Sequence, residues 1–208
     1  RKAPKADGLL HADVGVAAPL GGSVLARPQF GRVGLVAFWE DAEAVERFIA
    51  DHPVAERLAG GWRATLEPLR AHGAWPGLPS SVPAERATEY AGPSVVLTLG
   101  RLRLRRSVEF FRTSNRAERS VVKAPGLVWA TALARPPFVA TCSLWDSTRS
   151  LMTYAYGHAD PGHPDAIAVG AAKPFHVRSA FIRFRAISSE GSLDGGRNPM
   201  SSEGLQHA

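Results

Sequence analysis

Imidazoles set at a fixed distance from an indole are the first chemical signal in this chain. His52 and His158 each follow a tryptophan, Trp39 and Trp145, by thirteen residues. A neutral imidazole can accept a proton or bind a metal ion near neutral pH. His163 and His176 add two further groups of the same kind. Proline follows both His52 and His163, which is how a chain enters a turn or the first turn of a helix, so these histidines also have a purely structural reading. Tyr154 and Tyr156 stand two apart and cannot share a helix face, so at most one of them lines any one pocket. The single cysteine, Cys142, lies inside an apolar run. That excludes a disulfide framework and a thiolate cluster, and points to a buried, inert thiol. There is no nucleophile–base pair, phosphate-cradling glycine loop, dinucleotide fingerprint or carboxylate cluster, so hydrolase, kinase and dehydrogenase chemistry has no support.

The two tryptophans end two copies of one unit. Phe138 to Asp146 is an apolar run closing on Leu144-Trp145-Asp146, with a helix-like segment Ser147 to Gly157 behind it. Arg32 to Asp51 repeats the design with Phe38-Trp39-Glu40-Asp41. Repetition of this kind governs the fold more than any single residue. The second half reads as strand 94–104, Arg-rich helix 105–122, strand 127–134, a Pro corner at 135–137 and strand 138–145. Helix 147–157, a helical stretch at 164–172 and strand 177–187 follow. This order is βαββαβ, the ferredoxin-like split βαβ. In the first half the pattern predicts strands at 8–16 and 33–39, then a helix capped by Asp41 with Val45, Phe48 and Ile49 as its apolar stripe. A helical stretch from Val54 to Leu69, bending near Pro68, comes next. Nothing there corresponds to strand 94–104 and helix 105–122, so a strand and a helix are expected before Arg1 in the natural protein.

The predicted class is therefore α+β, built from tandem ferredoxin-like (βαββαβ) repeats packed sheet against sheet, the first truncated at its N-terminus. Residues 1–79 form the incomplete first repeat, 80–93 a linker, 94–187 the second repeat, and 188–208 a flexible tail. Strand alternation separates Val139, Thr141, Ser143 and Trp145 from Ala140, Cys142 and Leu144. The more polar set is assigned to the cavity between sheets and the other to the helices.

A formal charge of +6 invites a nucleic-acid partner. Seven arginines fall between Arg101 and Arg119. A nucleic-acid site would add exposed stacking aromatics or a reading helix, whereas Phe110 and Phe111 fit the core side of a helix with a basic outer face. A solvated basic face is preferred, with contact to anionic lipid or nucleic acid as the lesser alternatives. No apolar run approaches the roughly 20 residues of a membrane-spanning helix, and no secretory leader is visible. The expectation is a cytoplasmic chain with no specific nucleic acid, for which peripheral membrane contact and self-association stay open.

Ser143-Leu144-Trp145-Asp146, Tyr154-Ala155-Tyr156, His163 with Ala166, and Phe181-Ile182-Arg183-Phe184 occur in this order, with Gly73-Ala74-Trp75-Pro76-Gly77 between the halves and Gly191 to Gly196 near the end. On these motifs the chain resembles the spheroidene monooxygenase family of carotenoid-modifying oxygenases, among the dimeric α/β-barrel proteins. The resemblance implies that the two repeats pair within one chain as such a barrel. It also implies a monooxygenase acting on a hydrophobic, carotenoid- or isoprenoid-like substrate, with an electron donor as partner. Haem is implied as cofactor, with His163 as the iron ligand, His158 and His176 as further candidates and Arg178 beside a propionate. Thr141, Ser143, Trp145 and Tyr154 would line the substrate pocket. The chain departs from the family at Phe175-His176-Val177-Arg178-Ser179, where a tryptophan and paired glutamates are usual, at Phe138 in place of a histidine, and at the inserted 157–162. The alternative is a non-catalytic α/β-barrel module that binds an apolar ligand or a protein partner.

Overall fold

Valines and other apolar residues at alternate positions build β1 (Leu9–Pro19) and β2 (Val33–Trp39), which pair antiparallel with Val14 opposite Leu35. Asp41 then caps α1 (Ala42–Asp51), its carboxylate accepting from the Ala44 N–H at 2.8 Å. Phe48 is buried in α1 between the Trp39 and His52 rings, at 4.9 and 4.6 Å. His52 also caps α2 (Pro53–Leu58), its Nδ1 accepting from the Val54 N–H. In this half, the thirteen-residue spacing serves helix capping and ring packing. The computed structural model describes residues 3–20, 32–85, 89–107, 109–110, 121–156, 175–193 and 196–201.

The remaining strands are β3 (Arg63–Gly73), β4 (Ser94–Leu102), β5 (Leu127–Arg135), β6 (Phe138–Trp145) and β7 (His176–Glu190), with α3 (Thr148–Tyr156) after β6. The seven strands form one antiparallel sheet in the order β2-β1-β5-β6-β4-β7-β3. Val36 from one edge strand and Ala71 from the other share a single core with Val95, Leu97, Leu99, Leu144 and Ile182. The sheet is therefore curled, and its concave face encloses that core. The fold is α+β, with helices packed on the outer face.

Two sequence expectations change. The stretch expected to be helical from Val54 to Leu69 is α2 followed by β3, which pairs with β7 along its whole length. Pro68 is tolerated because β3 is an edge strand and the register shifts between Pro68 and Arg70, where a missing N–H costs least. The same pairing draws β7 out to Glu190, beyond the expected end at 187. Of the expected Arg-rich helix, Leu104–Arg106 forms a 3-10 turn, while 108 and 111–120, like the helix expected at 164–172, lie outside the described residues.

The second change concerns the two faces of β6. Ala140, Cys142 and Leu144 belong to the concave core, whereas Trp145 packs with Val96 and Leu151 under α3. By alternation Val139, Thr141 and Ser143 share the helix-covered face with Trp145. This reverses the expected assignment. The indole needs a broad apolar partner, which α3 supplies through Leu151 and Tyr154. Its N–H donates to the Ser143 hydroxyl at 3.0 Å. The concave side, where strands of both halves converge, takes the compact Ala140 and Cys142.

Candidate functional site

His11 and Asp13 alternate with Ala12 and Val14 on β1, which sends both polar side chains to one face. That face is the concave one, since Asp13 lies opposite the core residue Val36 and His11 opposite Phe38. Trp75 arrives from the segment after β3. The chain turns there at Gly73, whose φ of 85° favours glycine and where a Cβ would collide with the Ser179 carbonyl. Arg101 reaches the same place from the end of β4, in the other half of the chain.

The carboxylate of Asp13 gathers these groups. His11 Nε2 lies 2.8 Å from Oδ2, the Trp75 indole N–H donates to Oδ2 at 3.1 Å, and Arg101 Nη2 donates to Oδ1 at 3.4 Å. Asp13 is 8% exposed and Trp75 4%. The Arg101 guanidinium also lies 6.0 Å from the Trp75 ring centre, and Phe138 packs against the indole on another side at 6.1 Å. A buried carboxylate of this kind is tolerable because each oxygen has a donor and a cation stands beside it.

The arrangement can move a proton. With His11 Nε2 donating to Asp13, Nδ1 presents its lone pair, and the carboxylate would stabilise the imidazolium formed when Nδ1 takes up a proton. Arg101 provides a fixed positive charge beside it, suited to an oxygen that gains negative charge during a reaction.

The residues singled out from sequence are not gathered at this cluster. His158 and His163 lie outside the described residues. His176 sits on the helix-covered face, packed on the Phe110 ring at 5.1 Å and over Gly100, and burial lowers its pKa. Arg178 stands opposite Arg101, which places it on the concave side and exposed. A register shift at Arg101/Leu102 separates the two, and they project to different faces. His176 and Arg178 therefore do not fit one haem, as ligand and propionate partner. Ser143, Trp145 and Tyr154 do come together, Tyr154 stacking on Trp145 at 5.1 Å, but on the helix-covered face with Thr141. Cys142 is buried in the concave core, and burial pushes its thiol up to about 12. A cavity of about 290 Å3 opens elsewhere, on the outer face between α2 and the paired strands β1 and β2, lined by Val14, Val33, Leu35, Val54, Arg57 and Leu58.

The Asp13 cluster was not read from sequence. Trp75 stood only in a motif between the halves, and Arg101 was counted with the solvated basic face. The available signal was His11-x-Asp13, an imidazole and an acid on one face of an otherwise apolar strand.

By fold and site, the chain is an α+β protein whose curled sheet holds a His–Asp–Trp–Arg cluster at one end of its concave face. No protein-family model matches it. It is a relative of the spheroidene monooxygenases. That of Rubrivivax gelatinosus is 30% identical over 177 residues, covering 82% of this chain and 66% of that protein. The enzyme of Rhodobacter capsulatus is 27% identical over 178 residues (80% and 71%), and that of Cereibacter sphaeroides 23% over 175 (81% and 53%). The chain thus spans between about half and seven tenths of these relatives. Among solved structures, a protein described as a monooxygenase from Fusobacterium nucleatum overlaps 93% of this chain and 82% of its own, at 10% identity and a TM-score of 0.44. An anthrone oxidase-like protein overlaps 94% and 82%, at 13% identity and a TM-score of 0.38.

Proposed function

We propose that this chain is a monooxygenase acting on a hydrophobic, carotenoid- or isoprenoid-like substrate at the Asp13 end of its concave face. The observation that carries this is the Asp13 carboxylate, buried and held by His11, Trp75 and Arg101, in a chain whose relatives are named monooxygenases. His11 accepts a proton at Nδ1, Asp13 holds its tautomer, and Arg101 steadies negative charge. Inserting one atom of dioxygen into a C–H bond and reducing the other to water consumes two electrons and two protons, so an electron donor belongs to the proposal. Haem would supply dioxygen activation when bound. Of its candidate ligands, His163 and His158 lie outside the described residues.

The finer architecture is part of the same proposal: tandem ferredoxin-like repeats paired as an α/β barrel. Its support is the order β5-β6-β4-β7, which is that of a split βαβ unit, and the succession β1-β2-α1, which repeats β5-β6-α3. Incubation with a detergent-dispersed acyclic carotenoid, a reductant, haemin and isotopically labelled dioxygen should place one labelled oxygen in the product. Asp13→Asn and His11→Gln should each lose most of that label. If no carotenoid or simpler isoprenoid is labelled by the unaltered protein, the proposal fails.

The cavity under α2 favours a second reading, a non-catalytic module that holds an apolar ligand. In that case an apolar fluorophore would bind in the cavity, Leu35→Lys would abolish its binding, and no labelled product would form.

A further inference from the structure

Cross-strand register places arginines side by side at the site-bearing end of the sheet. Arg135 on β5 lies opposite Phe138 on β6, Phe138 opposite Arg101 on β4, and Arg101 opposite Arg178 on β7. Directly opposed residues share a face, so Arg135, Arg101 and Arg178 form one row along the concave rim. Arg103 and Arg105 follow immediately after β4, both exposed. Among the acids at this end, Asp13 is already held by its three partners, and Glu40 and Asp41 follow β2 beside Gly8 and Leu9, on the β2 edge of the sheet.

Large apolar side chains are exposed at this same end. Leu104 is 66% exposed between Arg103 and Arg105, and Val177 is 68% exposed beside Arg178. Leu10 is 52% exposed next to His11. A solvated basic face does not require protruding leucine and valine among its arginines, whereas a surface that enters a bilayer interface does. The cations meet the lipid phosphates and the apolar side chains pass below them. No described helix is long and apolar enough to cross a membrane.

We propose that this rim docks on an anionic lipid bilayer, with Arg103, Arg105, Arg135 and Arg178 against headgroups and Leu104, Val177 and Leu10 inserted at the interface. The proposal rests on the reading of the Asp13 end as a site for a hydrophobic substrate, since such a substrate is dissolved in the bilayer and docking brings the rim of the site to it. Recognition is by charge and apolar insertion, and no particular headgroup is specified.

The test is co-sedimentation with phosphatidylcholine vesicles with and without phosphatidylglycerol. The unaltered chain should bind the anionic vesicles, and binding should weaken as salt is raised. Each of Arg103→Gln, Arg135→Gln and Arg178→Gln should lower the affinity about fivefold. Leu104→Ser with Val177→Ser should lower it further while leaving retention on a polyanionic heparin column unchanged. Far-ultraviolet circular dichroism confirms that each variant is folded, and Glu43→Gln, on the exposed side of α1, is the control that should bind normally. Equal binding to neutral and anionic vesicles, or full binding by the triple arginine variant, overturns the proposal. So does retention of single-stranded DNA by these arginines in a chain that ignores vesicles. A chain that turns over detergent-dispersed carotenoid but binds no vesicle sinks the docking alone. One that binds vesicles through these arginines yet oxygenates nothing sinks the function and leaves the docking standing.

Discussion

The two ends of the curled sheet are each tied together by one side-chain oxygen centre, but with opposite electrostatics. At one end the Asp13 carboxylate takes His11, Trp75 and Arg101 from three separate parts of the chain. At the other, Asn198 Oδ1 accepts from the Trp62 indole at 3.2 Å, the Ser189 hydroxyl at 2.8 Å and the Met200 N–H at 2.9 Å, while Trp62 packs edge-on to Trp129. Both centres anchor a segment leaving a strand, so either would serve as a clasp. A neutral amide does this without burying charge. A carboxylate with an imidazole and a guanidinium does it at greater desolvation cost, and a clasp alone does not require it. The Asp13 centre is therefore where function is expected, and the Asn198 centre, beside the exposed Arg63–Glu190 pair, where only stability is.

Asp13→Asn is the sharpest way to break this comparison. The amide oxygen can still accept from Trp75, but it cannot stabilise an imidazolium at His11. Labelled-oxygen turnover per folded molecule should fall by about a hundredfold or more, the scale of a lost proton-transfer group, beside a lower thermal midpoint from the Arg101 donor left facing the amide nitrogen. Asn198→Ala should lower the midpoint alone. The Trp62 indole keeps the Ser189 hydroxyl as acceptor, but leaving the Met200 N–H and the Ser189 hydroxyl without theirs costs about 1–3 kcal/mol, or about 2–4 °C of midpoint per kcal/mol, with turnover per folded molecule unchanged. If both variants lose only stability, the Asp13 cluster is a clasp and the functional reading of that end falls.

Sequence showed the frame of this fold better than its site. Strands β5 and β6, the Pro corner between them and α1 with its Asp41 cap were legible because alternation, proline and capping chemistry act locally. The strand β3 was not. Arg63 to Gly73 carries Pro68 inside a run with helix-compatible residues, and only pairing with β7 decides its state. The facing of β6 was misread for a related reason. Polarity suggested that Thr141 and Ser143 should face a cavity, but the size of Trp145 and the presence of α3 set the outcome. The Asp13 cluster joins residues at positions 11, 13, 75 and 101, and such separations leave no periodic trace. Its one local sign was the pair His11 and Asp13 on the same strand face.

The charged end should also be the one that responds to acid. Burial lowers the pKa of His176 below its ordinary 6.5, so in mildly acidic solution the unfolded chain binds a proton that the folded chain refuses. The contribution is fully present above pH 6.5 and is lost as pH falls below it toward the folded value. Thermal midpoints measured through that window should therefore decline toward acid. His176→Phe, which keeps a ring against Phe110, should flatten the decline, whereas Asn198→Ala should shift the whole curve without changing its slope. An unchanged slope in His176→Phe would assign the acid response to other groups.

The smallest expected effect tests whether charge at this end is kept at the expense of stability. Arg101 and Arg178 are directly opposed on one face, and like charges so placed destabilise a sheet, here by about 0.2–0.5 kcal/mol given their exposure. Arg178→Gln should therefore stabilise the fold slightly in low salt, and the gain should shrink as salt screens the pair. The same substitution should weaken binding to anionic vesicles. A residue that costs stability while strengthening attachment to a lipid surface is one whose charge faces outward to a partner. If Arg178→Gln instead destabilises the fold at every salt concentration, Arg178 is held within the molecule, and the rim loses one of the cations assigned to the bilayer.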